Sequence, residues 1–480
     1  MDPSGKETLT FEIIIQKLFS GDFVFDNYVI SEATYPKMDQ KLDILHFRDL
    51  LEMVIGDGPK LRENKVDLEF RNCIFNVAVG FSLNKNMSFK RFFNCEFKYA
   101  CSFIDVDLDF KRNEPEETFV NFIGFFDKVT FKDLYFHDVK IKTPYLFKDV
   151  SINGDLVFDN CTIVPAVVLT DLPIEGNVTV LGCEFMDVCR IEIPFKKNLN
   201  IYSKKLEDKT EKPTIFHNTL ALRGEFYGQL LLQNVLFKKD FLFQPIYVSD
   251  KNLIFNSIKI EGSANFRNLN FSDRAQFRKI DLSKSSFLYS KFDDALFSEC
   301  EYINNKIYDE LMLNTGKINY KDVYNELRMF EMSFDKRKNF EQAGKFHYDA
   351  LELLRKNENN IFRKSLLWFY KISSNYGEGY GISLIWIIIV ILLFSIFYLY
   401  TGISYAGYNI WWWDCSKPFS INDWGSSLLY SLISSSPIKK DSEVVKSLGG
   451  WTTALSIIQT IIQTTLVTLF IIGIRRKFKR

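Results

Sequence analysis

Thr452, Thr453, Ser456, Gln459, Thr460, Gln463, Thr464, Thr465 and Thr468 fall within 451–474, a stretch without a charged residue. Hydroxyls and amides are poor company for lipid tails, so these side chains face another helix or water. Two chemistries are open to them. They can line a hydrated path, with Ser456, Gln459, Thr460, Gln463 and Thr464 toward an axis, or they can hydrogen-bond helix to helix with no path at all. Upstream, Tyr430, Ser431, Ser434, Ser435 and Ser436 close a short segment, 421–436, that runs into Pro437, Lys439 and Lys440. That segment is too short to cross a bilayer but can re-enter one from a single side, with Asn422 or Asp423 as its cap. An amphipathic helix lying on the surface is the competing arrangement.

Enzyme chemistry has no foothold in the sequence. There is no Walker-type loop, serine elbow or His-Glu-x-x-His pattern. His46, His137, His217 and His347 are too dispersed for a metal site. No catalytic residue, metal or cofactor is expected. Lys plus Arg and Asp plus Glu number 60 each, so the formal net charge is zero and no basic excess points to nucleic acid.

The polar residues must be positioned by two hydrophobic segments. Residues 381–400 read GISLIWIIIVILLFSIFYLY. At ~1.5 Å per residue such a helix spans the roughly 30 Å apolar layer of a bilayer. The second span is 451–474. Arg355, Lys356, Arg363, Lys364 and Lys371 precede the first span, and Arg475, Arg476, Lys477, Lys479 and Arg480 follow the second. The connection between them mixes Lys417, Lys439, Lys440 and Lys446 with Asp414, Asp423, Asp441 and Glu443. Positive-inside bias therefore places both ends in the cytoplasm and the connection outside, with Trp411, Trp412 and Trp413 as anchors at the outer interface. MDPSGKETLTFEII has no basic start followed by an apolar run, so no secretory signal is expected.

Phe occurs 47 times in 480 residues, mostly before the spans. From 62 to 305 a phrase recurs: a large residue, two variable ones, a small or apolar one, one more, then a second large residue. Copies are Phe70-x-x-Cys73-x-Phe75, Phe92-x-x-Cys95-x-Phe97, Phe131-x-x-Leu134-x-Phe136, Phe158-x-x-Cys161-x-Ile163, Val180-x-x-Cys183-x-Phe185 and Leu232-x-x-Val235-x-Phe237. The spacing becomes regular at Phe255/Ile260, Phe266/Phe271, Phe277/Leu282 and Phe287/Phe292. Large residues five apart fit neither a helix nor a strand, but do fit a coil that turns a corner every five residues. The alternative is an ordinary β-rich domain with a coincidental Phe rhythm. The Cys beside these Phe positions read as small buried hydrophobes in a reducing compartment rather than a disulfide framework. Residues 1–61 form an N-terminal cap region, with DILHFRDLLEMVI as a helix closing the open end. Between 306 and 371, Val323, Leu327, Phe330 and Phe334, then Phe340, Ala343, Phe346 and Ala350, predict two amphipathic helices joined near 336–339.

The five-residue phrase resembles the pentapeptide-repeat family, which implies an irregular right-handed β-helix, a β-solenoid, with side loops and with breaks near 111–128 and 196–228. Further on come Tyr324-x-x-Leu327, Asn339-Phe340-x-x-Ala343-Gly344-x-Phe346-x-Tyr348, Tyr376-Gly377-Glu378, Leu429-Tyr430-Ser431-Leu432-Ile433-Ser434, Gly449-Gly450 and Ile472-Gly473-Ile474-Arg475-Arg476. Together they resemble bacterial pentapeptide-repeat membrane proteins that end in a two-span, potassium-channel-like domain, here 372–480. The resemblance implies an inner-membrane protein with a span, pore helix, span unit, repeated as a homo-oligomer, a tetramer, around an axis. It fails at the filter. Potassium channels follow the pore helix with Thr-Gly-Tyr/Phe-Gly. Here Pro437 stands where the Thr belongs and Lys439 where the first Gly belongs, and Lys439 and Lys440 would repel cations at a narrow axis. The reading is a channel-like membrane protein with a non-standard filter and a cytoplasmic solenoid that controls it; the alternative is a non-conducting, membrane-anchored scaffold.

Overall fold

Each copy of the five-residue phrase built around a small residue is a corner. Val66–Arg71 is a strand, Asn72 takes a left-handed φ of 52°, and Ile74–Phe75 starts the next strand. Asn94, Asn160, Gly182, Asn234 and Ser257 occupy the same place in later copies, with φ between 51° and 55°. Asn tolerates this region better than most residues, and one such residue is enough to swing the chain to a new direction. The two large residues and the small one then all point inward, and Phe70, Cys73 and Phe75 are fully buried. Phe131-x-x-Leu134-x-Phe136 is different. It lies inside one strand, Thr130–His137, whose register shifts between Phe131 and Asp133. The expected coil with a corner every five residues is therefore replaced by strands of unequal length meeting at one-residue corners, with equivalent positions in successive coils typically 22 residues apart.

The computed structural model describes residues 5–31, 45–46, 66–81, 87–108, 125–143, 146–170, 172–249, 253–271, 274–302, 306–411, 420–436 and 445–478. The chain divides into two units, Met1–Ile318 and Asn319–Arg480.

The first unit is a parallel β-solenoid. One sheet runs through Leu156–Asp159, Val178–Leu181, Leu199–Tyr202, Leu230–Gln233, Leu253–Asn256, Ala275–Arg278 and Leu296–Ser298. A second runs through Thr162–Ile163, Glu184–Phe185, Thr214–Phe216, Val235–Phe237 and Lys259–Ile260, and a third through Val167–Thr170, Cys189–Glu192, Leu220–Phe226 and Phe241–Val248. In-register parallel strands set like residues one above another at roughly 4.8 Å, so Phe stacks on Phe. Phe75, Phe97 and Phe131 stack at 4.1 and 4.8 Å, and Phe255, Phe277 and Phe297 at 5.1 and 4.8 Å. The corner Cys has a further reason to be there. Cys161 Sγ donates to the Phe136 carbonyl one coil below at 3.5 Å, and Cys183 Sγ to that of Phe158 at 3.4 Å. Burial pushes the Cys189 thiol up to about 12 and that of Cys300 to about 11, so both stay protonated and unreactive.

Stacking begins before residue 62. Val24–Asp26 pairs with Val66–Arg71, and Tyr28–Ile30 with Ile74–Phe75. The helix preceding these strands is α1, Phe11–Ser20, capped by Thr10 and burying Ile14 and Leu18 at that end of the stack. Of the expected helix DILHFRDLLEMVI, Leu45–His46 is instead a short strand paired with Val79–Gly80, and the remainder lies outside the described residues. The break expected at 196–228 is a side hairpin, Lys204–Lys205 against Glu211–Lys212, while most of 111–128 lies outside the described residues. At the other end sits α2, Tyr308–Met312. Its fully buried Asp309 accepts from Ser286 Oγ at 2.6 Å and Arg267 Nη2 at 2.7 Å.

The second unit is helical. The helices α3, Tyr320–Lys336, and α4, Phe340–Asn357, form the hairpin that the apolar spacing predicts, closed by Phe346 stacked on Phe330 at 5.0 Å and on Phe334 at 5.4 Å. Then come α5, Ile361–Ser374; α6, Tyr380–Thr401; α7, Ile421–Ser434; and α8, Gly450–Phe478. Helix α5 has no counterpart in the sequence reading.

Candidate functional site

Helices α6 and α8 are both long and apolar enough to cross a membrane. They run antiparallel: Thr452 Oγ1 donates to the Thr401 and Gly402 carbonyls at 3.0 Å, while Gly473 lies against Tyr380. Along α8 the buried positions from 452 to 466 are Thr452, Ser456, Gln459, Gln463 and Leu466, alternately four and three residues apart, and Gly473 is buried further on. Ile457, Ile458, Ile461, Val467, Ile471 and Ile472 point outward. A soluble helix has the reverse arrangement. Polar inside and apolar outside is what lipid selects, and it supports membrane localisation. The first span also has an inner face, formed by Ser383, Phe394, Ser395, Tyr398 and Leu399.

Gln459, fully buried, is the junction of three helices. Its Oε1 accepts from Tyr398 Oη on α6 at 2.7 Å. Its Nε2 meets the Ser431 carbonyl at 3.0 Å, Ser431 Oγ at 2.8 Å and Ser435 Oγ at 3.0 Å, at the C-terminal end of α7. Three acceptors around one end and a phenol at the other fix the orientation of the amide. Ser431 Oγ in turn donates to the Ile391 carbonyl at 2.8 Å. Ser427 Oγ donates to the Ser395 carbonyl, and Gln463 Nε2 to that of Ile387 at 3.0 Å. Three carbonyls one turn apart on α6 thus each take an extra bond from a neighbouring helix. The small Ser side chains let α7 approach closely enough for this. Tyr430 packs edge-on against Tyr398 at 4.7 Å.

The residues singled out in the sequence therefore fall into three groups. Tyr430, Ser431, Ser434, Ser456, Gln459 and Gln463 are buried within the chain, and Ser435 and Ser436 are half-buried. Thr460 is half-buried, its Oγ1 near the Ser434 and Ser456 carbonyls at 2.8 and 2.7 Å. Thr464 is exposed, and like Thr465 and Thr468 it donates to the carbonyl one turn back, at 2.7 to 2.9 Å. That bond satisfies a hydroxyl in lipid without water. Pro437, Lys439 and Lys440 lie outside the described residues. Replacing Gln459 by Leu is expected to cost about 2 kcal/mol, since it removes the Tyr398 phenol's acceptor and the amide donor to the Ser431 carbonyl and two serine hydroxyls in an apolar layer. Gln463→Leu, which removes one bond, is expected to cost less than half of that. Reversible unfolding in bicelles measures both, and equal effects would contradict the junction.

The sequence reading missed two features. Ile403–Tyr405, Tyr408–Ile410 and Val445–Ser447 form a small antiparallel sheet at the end of the spans nearest Thr401. Its tight turn is Ala406-Gly407, with φ of 46° and 84°, and two such residues between aromatic and β-branched triplets are a legible hairpin signal. Trp411 packs over Gly402 in this region; Trp412 and Trp413 lie outside the described residues. The second feature is Glu352 on α4. Its carboxylate takes Arg355 at 2.7 Å, Lys371 at 3.2 Å and the Tyr376 hydroxyl at 3.0 Å, joining α4, α5 and the turn before the first span. The motif residues converge beside it. A Cβ on Gly344 would come within 2.3 Å of Glu378 Oε2, and the rings of Tyr348 and Tyr376 meet at 5.4 Å. A cavity of about 240 Å³ is lined by Glu331, Asp335, Phe340, Ala343, Gly344, His347 and Glu378, yet no group of His, Cys, Asp and Glu among the described residues could hold a metal ion.

Comparison with known proteins returns no match to a family model, to a curated protein or to a solved structure.

Proposed function

We propose that the chain is a channel-like integral membrane protein of the cytoplasmic (inner) membrane, with both termini cytoplasmic and a solenoid that controls a membrane unit. One observation carries this reading: a 14-residue helix, α7, is pinned through Ser427, Ser431 and Gln459 between two spans. At ~1.5 Å per residue it is about 21 Å long, too short to cross, and so serves as the re-entrant element of a span, short helix, span unit. The sequence resemblance supports the same arrangement, repeated in a homo-oligomer, a tetramer if it conducts. With Ser456, Gln459 and Gln463 engaged inside each chain, the axis falls to the Thr460 and Thr464 face of α8 and to the segment after Ser436. Pro437, Lys439 and Lys440 make potassium selectivity foreign to it.

The same burial of Gln459 and Gln463 within one chain favours a second reading, a non-conducting membrane anchor for a solenoid that binds a partner. Liposome flux with purified protein, run beside a subunit count by native mass spectrometry, separates the two. Flux of a small ion from a symmetric oligomer is expected. A monomer or dimer without flux would sink the channel reading and leave the anchor.

A further inference from the structure

Helix α5 carries five exposed large apolar side chains within nine residues. Ile361 is 81% exposed, Phe362 79%, Leu366 58%, Trp368 54% and Phe369 48%. On a helix these positions gather on one side. The opposite side carries Leu367 and Ser374, both buried, and Lys371, whose ammonium bonds Glu352. So from Ile361 to Phe369 α5 is packed on the protein along one flank and bare along the other, while its last turn also buries Ser373. An apolar flank of this kind on a folded protein marks an interaction surface.

Its place in the chain says what covers it. Ser383 Oγ and Trp386 Nε1, on the first turns of α6, donate to the carbonyls of Ser373 at 2.9 Å and Ile372 at 3.0 Å. The end of α5 is thereby held beside the beginning of the first span. Asn375, Tyr376 and Gly377 all have positive φ, so α5 does not run on into α6 as one rod. The outward face of the span, with Ile382, Leu384, Ile385 and Ile388, continues the apolar surface. Charge points the same way. Helix α5, IFRKSLLWFYKISS, has Arg363, Lys364 and Lys371 and no acidic residue; Arg363 meets Glu358 at 3.4 Å and remains mostly exposed. A basic helix with one bare apolar flank, fastened to the entry of a span, matches the boundary between head groups and acyl chains.

We propose that α5 is an interfacial helix, its Ile361/Phe362/Leu366/Phe369 flank sunk into the cytoplasmic leaflet and Arg363 and Lys364 paired with anionic lipid head groups. The proposal rests on the two-span reading but not on ion conduction. The test uses the full chain in nanodiscs of phosphatidylcholine with or without phosphatidylserine. An environment-sensitive fluorophore is placed through Phe362→Cys, Leu366→Cys, Lys364→Cys or Ile388→Cys, and labelling of the unsubstituted chain supplies the background. Emission at 362 and 366 is expected to match the apolar emission at 388, with 364 aqueous. In native mass spectrometry, each of Arg363→Gln and Lys364→Gln is expected to lower the retained phosphatidylserine about fivefold, the effect of one basic residue at an anionic surface. Aqueous emission at 362 and 366 beside apolar emission at 388 overturns the proposal and leaves the spans intact. Disulfide capture of two chains through Phe362→Cys overturns it too, because a second copy would then be the cover. Serine-lipid retention indifferent to both charge changes removes the anionic partner, and aqueous emission at 388 removes the membrane reading itself.

Discussion

Replacing Phe277 by alanine is expected to destabilise its part of the solenoid by about 3–5 kcal/mol, the range for emptying a buried aromatic site. Phe277 is fully buried, stacked between Phe255 and Phe297, and met edge-on by Phe271 at 5.2 Å and Phe287 at 5.1 Å. Removing it breaks a ladder at an interior rung. The coils above and below cannot close the gap, because their strands are tied by backbone bonds at fixed separation. Damage should be local, since each coil of a solenoid leans on its neighbours. Hydrogen exchange on the full chain should show protection lost in 253–256, 275–278 and 296–298 and kept in 156–202. Phe277→Leu, which refills much of the volume, should lose far less. Unchanged protection in those three strands would mean that the stack does not depend on the ladder.

Glu352→Gln is expected to cost about 2–3 kcal/mol at neutral pH. Burial alone would push the Glu352 carboxyl up, but hydrogen bonds from Arg355, Lys371 and Tyr376 outweigh it and hold the group at about 2. A depressed value in the folded state means stability that is present above the unfolded value of roughly 4.3 and is lost as pH falls through about 2. Acid unfolding of the second unit should therefore begin near pH 5 and steepen toward 2, and Glu352→Gln should flatten that dependence. The same pairing raises Tyr376, after burial, and keeps its phenol protonated as the donor. Because Glu352 joins α4, α5 and the turn into α6, its loss should also loosen the start of the first span. A melting curve of Glu352→Gln with the acid slope of the unsubstituted chain would contradict the assignment.

The solenoid was legible in the sequence because a corner is local. The large residues and the small inward one are written within six positions, and Phe70, Cys73 and Phe75 can be read without knowing what lies above, whereas the left-handed Asn72 that makes the corner stood among the variable positions. The period of the coil was not legible, because it depends on how many residues each side needs before the chain returns to its own ladder. The α3–α4 hairpin was read from helical spacing alone. Helix α5 was missed because Arg363, Lys364 and Lys371 in IFRKSLLWFYKISS were read only as the basic flank of the first span, and the left-handed Asn375, Tyr376 and Gly377 that separate it from α6 are a matter of backbone conformation.

For the membrane unit the division is sharpest. Length, apolarity and flanking charge belong to a contiguous segment, so the two spans and the polar character of the second were determined by the sequence by itself. The partners of those polar groups were not. Gln459 finds Tyr398 across 61 positions and Gln463 finds the Ile387 carbonyl across 76. Which amide meets which hydroxyl depends on how the helices cross and on α7 lying between them, so only the tertiary structure could decide it.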